Sequence, residues 1–464
     1  MNQIKNIILI TIDALRADYL GFYGYSKETS PTIDNLAESG VSFLEAYSTG
    51  PGTTVSLISL LTAEYPRMYS GYHYLSGKRT SVAEVFRNHG YDTAAFHSNA
   101  FISKEANYNK GFDTFMDLAL TNSRKYKLKS CLEGIFGKHS RIYKSIYRFA
   151  HWYARNVQTK AINLPSRKAS YVNECAVSWL EKNPQKFFLW LHYMDTHAPL
   201  LPPEEYTKDF HGEIIDMKRM IHLWHEWVYN REQISDEDLK DYIALYDSSI
   251  RYVDDTLKGF FDTLKDMHLW ENTIIVVTAD HGEEFREHGD LGHRPKLYNE
   301  LLHVPLILKC PGYETTIIET PISLLDLAPT LVDLAGLKPV DSWCGRSLLP
   351  LVNGHESNYE NRIVISEVSH ERGNPQIVPD KLKVAIRKNN WKYIYSRENN
   401  SYELYDLKVD PKELHNRYQG ESEVVEIFDE ILMDYLSNYD DANISSEEFE
   451  GEAVRERLKG LGYL

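Results

Sequence analysis

Cysteine is scarce in this chain of 464 residues: there are four, Cys131, Cys175, Cys310 and Cys344, far apart and without paired metal spacing. That excludes a disulfide framework or a centre built on close thiolate pairs, and it fits a reducing compartment. Long apolar runs are missing too. The best of them, Ile7 to Ile12, Phe187 to Leu191 and Thr273 to Thr278, fall far short of the roughly 20 residues that cross a bilayer. The opening MNQIKNIILITIDALRAD passes from one apolar run straight to Asp13 with no small-residue cleavage site, so the expected location is cytoplasmic. Finally, there is no excess of positive charge. With 51 Lys and Arg against 67 Asp and Glu, the net charge of −16 argues against nucleic acid as the main partner, because phosphate backbones select basic faces.

What the chain does have is alternation. Short β-branched or aromatic runs (NIILITI, DTAAFHS, KFFLWLHYM, TIIVVTA, HVPLILK) alternate with longer segments of helical period, the pattern of a mostly parallel sheet covered by helices on both faces. The length calls for a large catalytic domain, placed at 1–340, and a smaller subdomain at 341–464. Within the second, LKVAIRKNNWKYIYSRENNSYELYDL reads as antiparallel strands with an Asn-Asn turn, and Ser445 to Glu456 as a solvated acidic tail. Between Asn122 and Lys168 the composition shifts to twelve Lys and Arg against the single acid Glu133, with Ile142, Ile146, Phe149 and Tyr153 at helical spacing. This is a basic amphipathic insertion.

In open α/β sheets ligands bind beyond the carboxyl ends of strands, and several polar residues fall there. Asp280 and His281 close TIIVVTADHG, where Gly282 allows a sharp backbone turn and both side chains can reach one cation. Asp13 ends the first strand in the same way; an isolated buried carboxylate is costly unless something positive meets it. A divalent metal would serve, as would Arg16, or Asp13 would cap the next helix. In GPGTTVSLISLL a Gly-Pro-Gly turn delivers Thr53 and Thr54 to the start of an apolar helix, where backbone N–H groups favour an anion and a hydroxyl can act as nucleophile. The same threonines would serve equally as helix caps. In FFLWLHYMDTHAPLLPP, His192 sits inside the apolar run and reads as a core residue, whereas His197 precedes a proline-rich loop and is better placed to face a ligand. His293, twelve residues beyond His281, suits a second-metal ligand, a leaving-group acid or a clamp on ester oxygens. His288 and His303 read as surface or packing residues.

Taken in order, ILITIDALRADYLGFYGY, SPTIDNLAESGVSFLEAYS, SLISLLTAEYP, FFLWLHYMDTHAPLLPP, VVTADHGEE, YNELLHVPLI, SLLDLAPTLVDLAG and ELYDLKVDPKELHN resemble the sulfatase branch of the alkaline phosphatase superfamily. The resemblance implies an α/β/α sandwich with a smaller antiparallel C-terminal subdomain. It also implies a cation held by Asp13, Thr53, Asp280 and His281, with Thr53 attacking and His197 and His293 contacting the transferred group. His97, Asn99 and Arg294 are the substrate-binding candidates. Two departures stand out. Where sulfatases carry Cys-X-Pro-Ser-Arg, whose cysteine becomes formylglycine, this chain reads Thr53-Thr54-Val55-Ser56-Leu57, so no formylglycine forms. Ala14 replaces a second aspartate and His281 stands where many members have Asn, a softer donor set that favours zinc or manganese over calcium or magnesium. The spacing of DHGEEFREHGDLGH is similar to that of phosphoethanolamine transferases and lipoteichoic acid synthases, which use a threonine nucleophile.

The expectation is therefore a metal-dependent hydrolase or transferase cleaving phosphate mono- or diesters of a small molecule, lipid or glycan. The alternatives are a sulfuric ester hydrolase without formylglycine, and, from another class, a membrane-surface or polyanion-binding protein whose site is vestigial and whose basic stretch Arg124 to Arg155 does the work.

Overall fold

The structure, a computed structural model, describes residues 6–69, 72, 74–119, 168–182, 184, 186–355, 359, 361–369 and 377–439. The basic insertion, apart from Lys168, and the acidic tail lie outside the described residues, as does the stretch proposed for membrane or polyanion contact. Among the described residues no helix is long and apolar enough to cross a membrane.

The strands are β1 (Asn6–Ile12), β2 (Val41–Tyr47), β3 (Asp92–His97), β4 (Thr114–Asp117), β5 (Phe187–Tyr193), β6 (Thr273–Ala279), β7 (Glu284–Phe285), β8 (Leu291–Gly292), β9 (His303–Lys309), β10 (Thr316–Ile318), β11 (Ile322–Ser323), β12 (Ile363–Val368), β13 (Lys383–Lys388), β14 (Trp391–Ser396) and β15 (Ser401–Asp406). The large sheet runs β10-β2-β9-β6-β1-β5-β3-β4, with β11 also on β2. β6, β1, β5, β3 and β4 are parallel, and β9 runs antiparallel to both β6 and β2. Every residue of β1, β5 and β6 is buried. Since successive side chains of a strand point to opposite faces, both faces of this sheet are covered. The cover includes helices Pro31–Ser39 against β9, Val82–Asn88 against β3 and Ala169–Leu180 against β5.

Register decides which strand ends meet. β1 pairs with β6 so that Ile12 lies opposite Ala279, and with β5 so that Thr11 lies opposite His192. Asp13 and Asp280, the next residues on β1 and β6, therefore leave the sheet side by side. Thr53 opens helix Thr53–Thr62, every residue of which is buried.

A second sheet, β12-β13-β14-β15, is antiparallel throughout, with Asn389 of the Asn-Asn turn at φ 53°. It is not an independent appendage. Tyr47, Leu297 and Leu302 share an apolar cluster with Val364, Val368 and Ala385. β12 also braces the turn before Thr53: Glu367 N–H donates to the Thr49 carbonyl at 2.8 Å and Ser366 Oγ to the Ser48 carbonyl at 2.6 Å. A Cβ on Gly50 would lie 2.7 Å from the Glu367 carbonyl oxygen, so only glycine lets the turn lie so close to the strand.

The long helix Asp236–Asp266 clamps the start of helix Pro31–Ser39, since Asp254 accepts from Thr32 N–H at 2.9 Å and Ile33 N–H at 2.8 Å. Burial pushes this carboxyl up to about 6 despite the two amides. A raised folded value means that the native state binds the proton more tightly, so this contribution is complete below the unfolded value of 3.8 and is lost as pH rises through about 6. Compared with Asp254→Asn, the wild-type chain should lose about 1 kcal/mol of relative stability between pH 5 and pH 7.5, read from urea midpoints of both proteins. A difference that does not change with pH would show that the carboxyl stays ionised.

Candidate metal and nucleophile site

At the ends of β1, β5 and β6, Asp13 is fully buried and gathers three donors on Oδ2. These are Thr53 Oγ1 at 3.2 Å, Asn99 Nδ2 at 2.7 Å and His192 Nε2 at 3.2 Å. Its other oxygen has no hydrogen bond, and neither has Oδ2 of the fully buried Asp280. His281 Nε2 stands 3.6 Å from each of these two oxygens and 3.4 Å from Thr53 Oγ1. Asp280 is aimed by its own Oδ1, which accepts from Ala14 N–H at 3.1 Å and His281 N–H at 2.9 Å. Arg16 does not pair with Asp13; it is held by Asp18, Glu287 and the Glu283 carbonyl.

Two buried carboxylates each presenting a bare oxygen toward one imidazole is a disposition that costs free energy unless a cation lies between them. The protonation pattern carries the same strain. Burial and the Asp13 charge push Asp280 up, while Asp13, although burial opposes it, is held far below the usual carboxylate range by the His197, His192 and His281 imidazoles. The residues thus fit a divalent metal, and Asp13, Asp280 and His192 lie close enough for one ligand atom of each to reach a common ion.

Three histidines line the approach to Thr53 in one tautomer. Nδ1–H of His281 donates to the Gly282 carbonyl at 2.8 Å, that of His197 to the Ala198 carbonyl at 2.6 Å, and that of His293 to Glu283 Oε2 at 2.8 Å. A carbonyl or carboxylate can only accept, so Nδ1 carries the proton in each ring and Nε2 is the atom turned to chemistry. The ring centroids of His281 and His293 are 4.6 Å apart, and those of His293 and His197 are 5.1 Å apart. Gly282 matters here for closeness rather than for a left-handed turn, because a Cβ on it would lie 2.0 Å from the Glu300 carbonyl oxygen.

The structure therefore brings together Asp13, Thr53, Asp280, His281, His197 and His293, and it adds Asn99 as a direct partner of Asp13. His97 ends β3 opposite His192, its ring packed against Phe115 at 4.9 Å and beside Trp190 at 6.5 Å. Arg294 is paired with Asp290 at 2.8 Å. Two site residues escaped the sequence reading. His192 is buried, as a core residue would be, yet its Nε2 meets Asp13 and its Nδ1 meets Thr11 Oγ1 at 2.8 Å; only the register of β5 on β1 reveals this. Glu283, which orients His293, sits inside the DHGEE motif and was open to detection there. His288 and His303 do pack: His288 stacks on Tyr298 at 3.6 Å and bonds Glu300, and His303 donates to the Leu44 carbonyl at 2.7 Å.

A parallel-cored sheet whose strand ends join a helix-borne hydroxyl to carboxylates and imidazoles defines a metal-assisted ester-cleaving class. The chain belongs to the sulfatase family: residues 5–337 match the family model described as Sulfatase, and residues 286–438 match that of the N-sulphoglucosamine sulphohydrolase C-terminal region. It is accordingly an ester hydrolase of that family. An arylsulfatase of Clostridium perfringens is 25% identical over 460 residues, covering 90% of each chain. A choline-sulfatase of Rhizobium meliloti is 34% identical over 191 residues, 40% of this chain and 35% of that one. Among solved structures, a phosphonate monoester hydrolase of Agrobacterium radiobacter superposes with a TM-score of 0.72 at 20% identity, covering 94% of this chain and 96% of that one.

If Asp13 and Asp280 share a cation, adding Zn²⁺ or Mn²⁺ to chelator-treated protein should raise its stability by about 2.7 kcal/mol at a hundredfold excess over Kd. The gain should vanish in Asp13→Asn/Asp280→Asn, whose metal-free form should melt no lower than that of the wild type. A wild-type melting curve indifferent to both metals would remove the cation from this site.

Proposed function

We propose that the chain is a divalent-metal-dependent hydrolase or transferase that cleaves phosphate mono- or diesters through a covalent Thr53 intermediate. The observation that carries this reading is the hydroxyl of Thr53 at the head of a buried helix, within 3.4 Å of both Asp13 Oδ2 and His281 Nε2, where the first-position N–H groups and helix dipole favour an anionic group. Asp13, Asp280, His281 and Thr53, with His192 beside them, would hold the metal; zinc or manganese suits the imidazole content better than calcium or magnesium. Bound there, it would supply positive charge that acidifies the threonine hydroxyl and offsets charge on the ester oxygens.

In the first step Thr53 Oγ1 forms a bond to phosphorus as the bond to the alcohol oxygen breaks. The acidified Thr53 hydroxyl, whose hydrogen bond Asp13 Oδ2 accepts, loses its proton to solvent, and the departing alkoxide receives one from Nε2 of a protonated His197 or His293. In the second step water, or an acceptor alcohol, attacks the phosphothreonine. The imidazole left neutral collects the attacking group's proton, and the Thr53 oxygen recovers its proton from solvent, so the site regains its starting state.

Sulfuric ester hydrolysis without formylglycine is the second reading, favoured by relatives named arylsulfatase and choline-sulfatase. Against it, Thr53 cannot yield the aldehyde, and Leu57 takes the place of the motif's arginine. Thr53→Ala should lower turnover at least about 10³-fold, while its melting temperature stays at the wild-type value and Asp13, Asp280 and His281 still bind metal. An active Thr53→Ala protein would refute the nucleophile. Rates on nitrophenyl phosphate, bis-nitrophenyl phosphate and nitrophenyl sulfate separate the two readings, and a clear preference for the sulfate would overturn the phosphoester assignment.

A further inference from the structure

The turn that follows Asp13 is held in a backbone shape that its sequence does not favour. Ala14 is fully buried and lies at φ 57°, the left-handed region, where a Cβ crowds the carbonyl oxygen and which residues other than glycine rarely enter. Such a conformation persists only where its surroundings hold it. It has one visible result. Ala14 N–H points at Asp280 Oδ1, 3.1 Å away, which leaves the other oxygen, Oδ2, without a hydrogen bond and 3.6 Å from His281 Nε2. One strained residue after β1 thus sets the direction of the carboxylate that follows β6.

The holding group comes from the long helix Asp236–Asp266. Tyr246, fully buried on that helix, accepts from Arg16 N–H at 3.0 Å and donates its own hydroxyl proton to the Ala14 carbonyl at 2.6 Å. Both directions are fixed, because an amide N–H can only donate and a carbonyl can only accept. A single hydroxyl therefore spans the turn from residue 14 to residue 16. The phenol ring is itself wedged between Tyr19 and Phe285, with centroids 5.1 and 4.9 Å away. The Arg16 guanidinium lies over those same two rings, 4.8 and 5.5 Å from their centroids.

We propose that Tyr246 is a positioning residue for the metal: its hydroxyl keeps Ala14 left-handed and, through the Ala14 N–H, aims Asp280 at the cation. The inference rests on the reading of Asp13 and Asp280 as carboxylates that share a divalent ion. Tyr246 acts through Ala14 rather than as a ligand, since its hydroxyl is spent on two backbone groups. A carboxylate held by a hydrogen bond is oriented before the ion arrives, and loss of such support typically weakens metal binding about 10- to 100-fold.

Calorimetric titration of the chelator-treated protein with Zn²⁺, and separately with Mn²⁺, tests this. Tyr246→Phe, which keeps the ring and loses the hydroxyl, should raise Kd about tenfold or more. Phe285→Leu loosens the same aromatic packing but spares the hydroxyl, so its melting temperature should fall while Kd stays within about twofold of wild type. Glycine enters the left-handed region freely, so adding Ala14→Gly to Tyr246→Phe should recover at least about threefold of the lost affinity. An unchanged Kd in Tyr246→Phe, an equal rise in Phe285→Leu, or a double variant no tighter than Tyr246→Phe would each overturn the assignment. A wild-type protein that binds neither metal removes the cation from the site, and the proposal falls with it. Should Tyr246→Phe fail to fold, recovery of a folded, metal-binding Ala14→Gly/Tyr246→Phe supports the proposal. A double variant that also fails rejects it, because the hydroxyl then serves the core as a whole.

Discussion

The site is organised around an electrostatic conflict. Asp13 and Asp280 leave adjacent parallel strands at the same level, both fully buried, and each turns one unpaired oxygen toward the same imidazole. Burial alone would drive both carboxyls toward the neutral acid. The surrounding imidazoles instead hold one ionised, and its charge pushes the other up. A chain pays for such a pair only where something positive is to be held, which is why carboxylate clusters of this kind belong to metal chemistry rather than to stability. The hydrogen-bonded backbone of the parallel sheet makes the conflict permanent, because neither strand can slip without moving every apolar side chain of the core.

The rest of the molecule keeps that arrangement from relaxing. Thr196 Oγ1 ties down the Asp13 carbonyl at 2.5 Å, and Asp13 N–H is bonded to the Tyr193 carbonyl at 2.9 Å. The C-terminal sheet acts on Thr53 through β12, which lies against the Gly-Pro-Gly turn. It acts on the loop after Asp280 through Glu413, which accepts from Asn299 N–H at 2.6 Å and pairs with the buried Lys392. The smaller subdomain is thus part of how Thr53 and His293 are positioned, and the tight approach at Gly50 and Gly282 shows how little room either turn has to drift.

Much of this was legible in the amino-acid sequence, and the physical reason is locality. Five strand candidates read from short apolar runs are strands, since a strand buried on both faces needs an uninterrupted apolar stretch. Asp13, Thr53, Asp280 and His281 were readable because each follows such a stretch or a glycine turn. His192 was not, because its neighbour Asp13 is supplied by pairing between β5 and β1, and no local pattern encodes which strand lies beside which. The same limit applies to His97 and Asn99, two residues apart after one strand: the first entered an aromatic layer with Phe115 and Trp190, the second bent back onto Asp13. Arg16 illustrates the converse, since proximity in sequence suggested a partner for Asp13 and the fold gave that arginine to Asp18 and Glu287 instead.

Charge arithmetic gives the arrangement its sense. Asp13, Asp280 and Glu283 place three carboxylates within reach of the approach to Thr53, and the chain as a whole carries a net charge of −16. An anionic ester meets repulsion at long range and again at the site. The three aligned imidazoles cannot cancel this by all becoming charged, because adjacent rings 4.6 and 5.1 Å apart disfavour simultaneous protonation. Burial together with its two imidazole neighbours indeed pulls His293 down, although Glu283 opposes it. A cation of charge two held by Asp13 and Asp280 would offset that repulsion while leaving one imidazole free to carry a proton. A cation shared by the two carboxylates would therefore serve the binding of an anionic ester as well as its chemistry.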